Sequence, residues 1–242
     1  MNIYCITLFP DFFEKIKEFG PIKRAILSGS LLLKAIDLRK FAEGPKEVDD
    51  RPYGGGGGMV IRVDVTVKAL KSIKENTYKI LLDPRGKVLN QKIIHDLSKK
   101  ESITIICGRY KGIDERIRDY VDDEISIGDY VISGGEPAAY VLIDAVSRLL
   151  PGSMGDKDSR EEDSFEKGVL GYPVYTKPRE FEGKKVPEIL ISGNHEEIRK
   201  YLKKEALKET LLKRKDLIER ANLEEEDKIL LKEIEKELKE KV

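Results

Sequence analysis

Residues 102–115 read SITIICGRYKGIDE, and residues 123–137 read DEISIGDYVISGGEP. Each segment contains a short run rich in β-branched side chains, Ile103–Cys107 in the first and Ile125–Ile127 in the second. Short apolar runs that are bounded by turn residues are typical of buried β-strands. A third such run, Lys79–Leu82, comes earlier in the chain and ends at the sequence DPRG. The sequence therefore predicts three buried strands, each followed by a loop that contains glycine.

These glycine-containing loops are the first candidates for a binding site. In α/β proteins, ligands bind beyond the carboxyl ends of parallel strands, where such loops gather. Glycine has no Cβ atom, so it lets backbone amide and carbonyl groups approach a ligand closely. The pattern alone is also compatible with three ordinary connections between strands and helices.

Strands and helices alternate along the first 150 residues. The predicted strands are Met1–Phe9, Leu31–Leu38, Lys79–Leu82, Ile103–Cys107 and Glu124–Ile127. The predicted helices begin near Pro10 and Pro21, span Asp64–Lys74, follow a cap at Asn90, and then cover Ile113–Val121 and Pro137–Leu150. This alternation predicts an α/β fold with a mostly parallel sheet and helices on both faces.

The composition indicates a chain with a sizeable core and no overall attraction to polyanions. The chain has 242 residues, 40% of them hydrophobic, and a formal net charge of zero at pH 7. Any nucleic-acid partner must therefore contact local basic patches. No apolar run is long enough to cross a membrane, which predicts no membrane partner and a cytoplasmic location. The two cysteines and two histidines have spacings that predict neither a disulfide framework nor a metal site.

The composition changes after the helix predicted at Pro137–Leu150. Residues 155–162 include no apolar side chain, which is typical of a linker. The remainder is mostly helical, and Asn194 is placed to cap one of its helices. The sequence therefore predicts a large domain over residues 1–154, a flexible linker over 155–170 and a small helical domain over 171–242.

A run of five glycines, Gly54–Gly58, follows the sequence DDRPY. Consecutive glycines lose much conformational entropy when they become ordered, so one interpretation is a flexible surface loop. The other interpretation is a loop that closes against a ligand or a phosphate backbone, with Arg51 as its charged contact. The run matches neither the dinucleotide-binding nor the P-loop fingerprint.

Five motifs occur in one collinear order along nearly the whole chain. They are DDRPYGGG at residues 49–56, CGRYKGIDER at 107–116, SIGDYVISGGE at 126–136, EDSF at 162–165 and LISGNH at 190–195. Each motif alone is short enough to arise by chance, whereas five in register are specific. Together they resemble the motifs of the bacterial tRNA (guanine-N1)-methyltransferases.

The resemblance implies a fold and a reaction that composition does not show. The fold would be of the SPOUT type, an α/β domain whose C-terminal part is threaded into a deep trefoil knot. The knot would hold S-adenosylmethionine, the methyl donor. Members methylate N1 of guanosine 37 in tRNA, next to the anticodon, and act as homodimers with the active site at the subunit interface. The apolar helix predicted at Pro137–Leu150 fits such an interface.

The resemblance also assigns site residues by their position along the chain. The donor would contact Pro84, Gly108, Ile127, Gly128, Asp129, Tyr130, Val131, Ile132, Gly134 and Gly135. The tRNA would contact Arg51, Gly55, Glu162, Ser164, His195 and Arg199. The catalytic pair would be Asp163 and Arg148, and no metal ion is assigned.

Two positions depart from the pattern of many family members. Gly57 stands where many members have a proline, which predicts a looser glycine loop. Glu136 is followed at once by Pro137, so the proline comes one place earlier than in many members. This shift leaves open the residue at which the next helix begins.

The implied target explains the need for a carboxylate and a guanidinium. Guanine N1 carries a proton at neutral pH, so a base must remove it before the nitrogen attacks a methyl sulfonium. Negative charge then develops on O6, where a fixed guanidinium would stabilise it. Asp163 is the candidate base, and Arg148 is the candidate partner of O6. A base methylated at its Watson–Crick edge must be unpaired, as an anticodon loop permits.

Two other functions stay open at this point. A knotted RNA ribose 2′-O-methyltransferase would not need a carboxylate base paired with an arginine. A non-catalytic dimer that binds RNA or nucleotides would transfer no methyl group. Donor-dependent methylation of a tRNA with and without guanosine 37 separates the methyltransferase from the binding module.

Overall fold

The computed structural model describes residues 1–44, 47–154 and 162–240. The chain divides into two compact units, Met1–Gly155 and Asp156–Val242. Each unit has its own hydrophobic core. Within the described residues, we find no helix with the length and apolar character needed to cross a bilayer.

A five-stranded sheet forms the centre of the first unit. The strands of this unit are β1 (Asn2–Thr7), β2 (Leu32–Asp37), β3 (Asp49–Asp50), β4 (Val60–Ile61), β5 (Tyr78–Val88), β6 (Ser102–Cys107) and β7 (Asp123–Ser126). The sheet has the spatial order β2-β1-β6-β5-β7, and every neighbouring pair runs parallel. β3 and β4 form a separate antiparallel ribbon. The predicted parallel sheet is confirmed.

Five α-helices and two short 3-10 helices are described in the first unit. The α-helices are α1 (Pro10–Ile16), α2 (Gly20–Leu27), α3 (Val63–Ser72), α4 (Gln91–Ser98) and α5 (Gly135–Leu149), and the 3-10 helices span Leu38–Phe41 and Glu115–Tyr120. The second 3-10 helix replaces the α-helix predicted at Ile113–Val121, because the Asp114 side chain accepts the Arg116 N–H at 3.0 Å and caps a tight turn. α5 begins two residues before Pro137, whose missing N–H is tolerated in a first turn.

Side chains of the sheet alternate between two hydrophobic clusters. Ile105 and Cys107 of β6 pack in one cluster, whereas Ile106 between them packs in the other. The first cluster includes residues of α1, α2, α4 and α5, and the second includes residues of α3 and the 3-10 helix Glu115–Tyr120. A strand that is covered on both faces requires this arrangement. Helices therefore cover both faces of the sheet, as the sequence predicts.

Strand β5 differs from its prediction beyond Leu82. Leu82 and Lys87 both pair with Ile125 of β7, so residues 83–86 form a bulge and the strand continues to Val88. Proline and glycine usually mark the end of a regular strand, which is why the sequence predicts an end at Leu82. Here the chain pairs with β7 again after the bulge, Lys87 with Ile125 and Val88 with Ser126.

The bulge requires glycine at residue 86. A Cβ atom at Gly86 would lie 2.5 Å from the backbone carbon of Glu124 and 2.5 Å from the backbone nitrogen of Ile125. We expect Gly86→Ala to lower the free energy of unfolding by about 1–3 kcal/mol, because a backbone contact cannot move aside cheaply. The measurement is the urea midpoint, with an unchanged slope. A wild-type midpoint would contradict the described bulge.

The second unit is small and mostly helical. It contains β8 (Glu180–Phe181) and β9 (Lys184–Lys185), a 3-10 helix (Glu188–Ile191), α6 (His195–Lys213), α7 (Lys215–Ile218) and α8 (Glu225–Lys239). α6 and α8 pack through Leu207, Leu230 and Ile234. The Asn194 side chain accepts the Glu197 N–H at 3.4 Å and so caps α6, as its position in the sequence predicts.

Part of the predicted linker lies within the second unit. Residues 155–161 fall outside the described residues. In the part that follows, the Leu170 N–H donates to Thr210 Oγ1 at 3.0 Å, and Val169 packs against the cluster around Leu207. The domain limits 1–154, 155–170 and 171–242 stay predictions, as does the trefoil knot.

Candidate active site

The residues predicted to bind the donor lie at one edge of the sheet. Leu82 of β5 pairs with Cys107, the last residue of β6, and the Pro84 bulge and Gly108 follow these two positions. β7 ends at Ser126 and leads into the predicted donor loop, residues 127–135. Because parallel strands end at the same edge, the three segments meet there.

A close backbone contact joins the donor loop to the turn after β6. The Gly135 N–H donates to the Gly108 carbonyl at 2.8 Å. A Cβ atom at Gly135 would lie 2.7 Å from Cys107 Cα and 2.9 Å from the Gly108 nitrogen. Arg109 and Gly134 also form an isolated antiparallel bridge. The glycine pair is therefore required by this contact, which places the N-terminus of α5 beside Gly108.

The middle of the donor loop exposes apolar side chains. Tyr130 is 59% exposed, Val131 is 100% exposed and Ile132 is 40% exposed. At its start, the Gly128 N–H donates to Ser126 Oγ at 3.2 Å, and φ at Gly128 is +134°, a value that favours glycine. Asp129 follows in the same bend. Clustered exposed apolar groups indicate a surface that a ligand or another protein covers.

These residues fit a nucleoside-bearing donor. Glycines 108, 134 and 135 carry no side chains of their own at this edge, and α5 begins there at Gly135. The loop from Ile127 to Ile132 supplies apolar surface for a ring. Ligand pockets combine an apolar lining with a few such polar groups. These residues are therefore compatible with S-adenosylmethionine, and their contact with the donor stays a prediction.

Arg148 lies on α5, one turn after Asp144. Both side chains are partly buried. Burial raises the pKa of the Asp144 carboxyl, and the charge of Arg148 partly offsets this rise. The Arg148 carbonyl accepts a hydrogen bond from Ser153 Oγ at 3.2 Å. The candidate O6 partner is thus a helix residue with a fixed backbone, in the same unit as the donor loop.

The glycine loop is tied to the turn after β6. The Lys111 N–H donates to the Met59 carbonyl at 3.1 Å, and the Ile61 N–H donates to the Gly112 carbonyl at 3.0 Å. Lys111 also lies along the loop, since a Cβ atom at Gly56 would meet its Nζ at 3.0 Å. φ is positive at Gly54, Gly55, Gly56 and Gly58. The predicted tRNA contacts Arg51 and Gly55 therefore belong to a loop anchored beside the donor turn.

Four of the remaining predicted site residues line a cavity of the second unit. The cavity has a volume of about 940 Å³. Glu162, Asp163, His195 and Arg199 line it, and its apolar lining comes from Val169, Leu170, Ile198, Leu202, Ala206, Leu207 and Leu223. The family resemblance assigned Asp163 to catalysis and the other three to tRNA binding, from two separate parts of the chain. The structure brings them together.

The segment that carries Asp163 is closed by hydrogen bonds. The Gly171 N–H donates to Ser164 Oγ at 2.8 Å, and the Phe165 N–H donates to the Val169 carbonyl at 2.7 Å. The Leu170 N–H is held by Thr210, which is fully buried in α6. Ser164, a predicted tRNA contact, thus also supports the loop around Asp163.

Tyr172 faces Glu162 in this cavity. The Tyr172 hydroxyl donates a short hydrogen bond to Glu162 Oε2. Burial, with the hydrogen bond and negative charge of Glu162, raises the pKa of Tyr172 from 10.0 to about 12. Residues 162 and 172 therefore join the two ends of the loop that contains Asp163.

This raised pKa gives a prediction about pH. The contact of Tyr172 with Glu162 makes its full contribution to folding stability below pH 10.0, the ordinary pKa of tyrosine. This contribution is lost as the pH rises toward about 12, where the pKa of Tyr172 lies in the folded protein. We expect Tyr172→Phe to remove the tyrosine that ionises at the highest pH. The measurement is a near-ultraviolet tyrosinate titration of both proteins, with circular dichroism as a check of folding. Loss of a tyrosine that titrates near 10 would contradict the described contact.

Arg199 and its neighbour Lys203 share an acidic partner. Arg199 lies 3.3 Å from Glu226 Oε1, and Lys203 lies 2.8 Å from Glu226 Oε2. Hydrogen bonds from Lys203 and Arg199 lower the pKa of Glu226 to about 2. The guanidinium of Arg199 is therefore held at the cavity by α8.

The two catalytic candidates belong to different units, Arg148 to the first and Asp163 to the second.

The sequence analysis did not identify two residues that matter at the site, Glu136 and Tyr172. Glu136 lies at the start of α5 and is only 3% exposed, and the motif at residues 126–136, which it ends, gave no sign of its burial. Tyr172 had no sequence signal, because an isolated tyrosine after a glycine predicts nothing. Within the described residues, no group of three or more His, Cys, Asp or Glu side chains could hold a metal ion.

Comparisons with known proteins agree with these motifs. The family model described as "tRNA (Guanine-1)-methyltransferase TrmD" matches residues 1–220. A tRNA (guanine-N(1)-)-methyltransferase of Dictyoglomus turgidum is 51% identical over 244 residues, which cover 100% of both chains. One from a Sulfurihydrogenibium species is 51% identical over 236 residues, which cover 96% of this chain and 93% of the relative.

A solved structure is similar as well. The crystal structure of the tRNA (m1G37) methyltransferase from Aquifex aeolicus has a TM-score of 0.74 and 42% sequence identity, and the match covers 91% of this chain and 95% of that chain. The family match extends over most of the chain, and the two relatives match over 93–100% of their own length. The chain therefore belongs to the tRNA (guanine-1)-methyltransferase family.

Proposed function

We propose that Asp163 acts as the general base of this enzyme and that Arg148 stabilises the charge on O6. The reaction is the transfer of a methyl group from S-adenosylmethionine to N1 of guanosine 37 in tRNA. The fold that supports it is of the SPOUT type. The donor supplies an electrophilic methyl group, and residues of the chain hold the guanine and remove its N1 proton.

The N1 proton decides which side chains the reaction needs. While N1 is protonated, its lone pair takes part in the ring and is a poor nucleophile. Asp163 is a suitable base because a carboxylate accepts a proton from N1 as the methyl group transfers. Removing the proton places negative charge on O6, and the guanidinium of Arg148 suits that charge.

The observation that most supports Asp163 as the general base is the cavity of the second unit. Asp163 lines this cavity together with His195, Arg199 and several apolar side chains. An unpaired nucleobase needs an apolar surface for its ring and polar groups for its edge. A carboxylate that lines such a cavity supports the proposal that Asp163 meets the Watson–Crick edge of a purine.

The other predicted tRNA contacts suit a phosphate backbone or the edge of a base. Arg51 and Gly55 lie on the anchored glycine loop of the first unit. Glu162 and Ser164 frame Asp163, and Arg199 offers a guanidinium. Because such contacts are electrostatic, tRNA binding should weaken as salt rises.

We further propose a cytoplasmic homodimer with the active site at the subunit interface. The exposed apolar side chains of the donor loop, and Val141 on α5, which is 45% exposed, support a surface that a second copy covers. Light scattering of the purified chain tests this, and a monomeric mass at working concentration would contradict it.

Product analysis tests the proposed reaction. A tRNA transcript with guanosine 37 and its matched variant with adenosine 37 are incubated with S-adenosylmethionine, then digested and analysed by mass spectrometry. We expect N1-methylguanosine at position 37 of the first transcript and no methylation of the second. A 2′-O-methylated nucleoside would favour the ribose methyltransferase. Binding without any methylated product would favour the non-catalytic module.

A further inference from the structure

A buried carboxylate at the start of α5 has no role in the reaction described above. Glu136 is 3% exposed. Its Oε1 accepts a hydrogen bond from Thr7 Oγ1 at 2.8 Å, and Thr7 is fully buried at the end of β1. The Phe9 N–H also donates to Thr7 Oγ1, at 2.9 Å. The carboxylate is therefore fixed from the side of β1.

The second oxygen of Glu136 faces a single described cation. Oε2 lies 3.7 Å from an Arg109 guanidinium nitrogen, and no described residue donates a hydrogen bond to it. A buried carboxylate is costly without a partner, although the N-terminus of α5 lowers that cost. Its charge is thus balanced mainly by Arg109 and by the helix.

Arg109 is held on three sides. Its guanidinium carbon lies 4.6 Å from the centre of the Phe9 ring, a cation–π distance. Its backbone bridges Gly134, and its carboxylate partner is Glu136. A Cβ atom at Gly134 would lie 2.8 Å from Arg109 Cδ and 2.7 Å from Glu136 Oε2. The ion pair therefore lies directly on the glycine turn of the donor loop.

We propose that Glu136 is a positioning residue for the donor pocket. Its carboxylate holds Arg109 against Gly134 and so fixes the turn at Gly134–Gly135. This inference rests on the assignment of the donor to that turn. It does not depend on Asp163 as the base, because the ion pair lies in the first unit and acts on donor binding alone.

The ion pair predicts a separation between binding and turnover. Glu136→Gln keeps the shape of the side chain but removes its charge, so the Arg109 guanidinium loses its carboxylate partner on the turn. We expect the dissociation constant of S-adenosylmethionine to rise about tenfold to a hundredfold, since a turn that is loosened by about 1 Å loses binding of that order. The turnover number at saturating donor should change little.

A double variant separates positioning from simple stability. Replacing both members of a buried ion pair with uncharged groups of similar volume is often neutral or stabilising. In Glu136→Gln with Arg109→Met, we expect the melting temperature without donor to recover while donor affinity stays weak. The matched control is Asp123→Asn, which breaks the Asp123–Lys87 pair of 2.9 Å at the opposite end of β7 and should leave donor affinity unchanged.

The experiment is calorimetric titration of each purified variant with S-adenosylmethionine, alongside thermal unfolding without donor. If Glu136→Gln does not fold, Thr7→Val takes its place, because it frees Oε1 without removing the charge and should weaken donor affinity several-fold. Wild-type affinity in the folded variant would overturn the proposal. Joint recovery of stability and affinity in the double variant would also overturn it, since it would reduce Glu136 to a structural role.

Discussion

Asp163→Asn is expected to reduce methyl transfer by about a hundredfold to ten-thousandfold, the usual contribution of a positioned base. Asparagine has nearly the same shape but cannot accept the N1 proton. The loop that holds residue 163 is closed by the Ser164–Gly171 and Leu170–Thr210 hydrogen bonds, which do not involve the carboxylate. The fold and the cavity should therefore persist. The measurement is the single-turnover rate on tRNA that contains guanosine 37.

The matched control for this variant is Glu235→Gln. Glu235 is an exposed carboxylate on α8, in the same unit but outside the cavity. It should leave the rate unchanged. Donor affinity should match the wild type in both variants, because the donor residues lie in the first unit. Wild-type turnover by Asp163→Asn would remove the proposed base while leaving the family assignment intact.

Gly135→Ala is expected to have the second large effect, a loss of donor affinity of about a hundredfold or more. The added Cβ atom would lie 2.7 Å from Cys107 Cα and 2.9 Å from the Gly108 nitrogen, and both neighbours are backbone atoms. The chain can relieve this clash only by separating the donor loop from the turn after β6. Both sides of the donor pocket would then move apart.

Calorimetric titration with S-adenosylmethionine, at a temperature where circular dichroism shows a native fold, measures this effect. Gly44→Ala serves as the control, because a Cβ atom there meets only the flexible Glu47 side chain, at 3.4 Å. Native affinity in Gly135→Ala would mean that the donor binds elsewhere. This outcome would also remove the basis for the role of Glu136.

The sheet could be predicted from the sequence because burial leaves a local signal. Runs such as Ile103–Cys107 are mostly apolar and are buried on both faces, as is typical of strands covered by helices on each side. The continuation of β5 past Leu82 could not be predicted, because its bulge is stabilised by pairing with Ile125, far along the chain. Likewise, the turn at Glu115 is set by a side-chain cap that an α-helical pattern of apolar residues hides.

The site was predicted through motifs, and its supporting residues were not. Asp163, His195 and Arg199 have no distinctive local sequence pattern, so their roles were assigned through the family resemblance. All three line the cavity of the second unit. Glu136 and Tyr172 matter through partners at distant positions, Thr7 and Glu162. Because the partners in each pair come together only in the folded chain, a pattern in the local sequence does not predict the pair.

The pH dependence of single-turnover methyl transfer tests most directly whether Asp163 removes the N1 proton. We compare the wild type and Asp163→Asn across about three pH units around neutrality, at saturating S-adenosylmethionine and tRNA. The wild-type rate should be nearly level, because the carboxylate takes the proton, whereas the residual rate of the variant should rise about tenfold per pH unit as solvent takes over. Parallel profiles for the two proteins would contradict the role of Asp163 as the base.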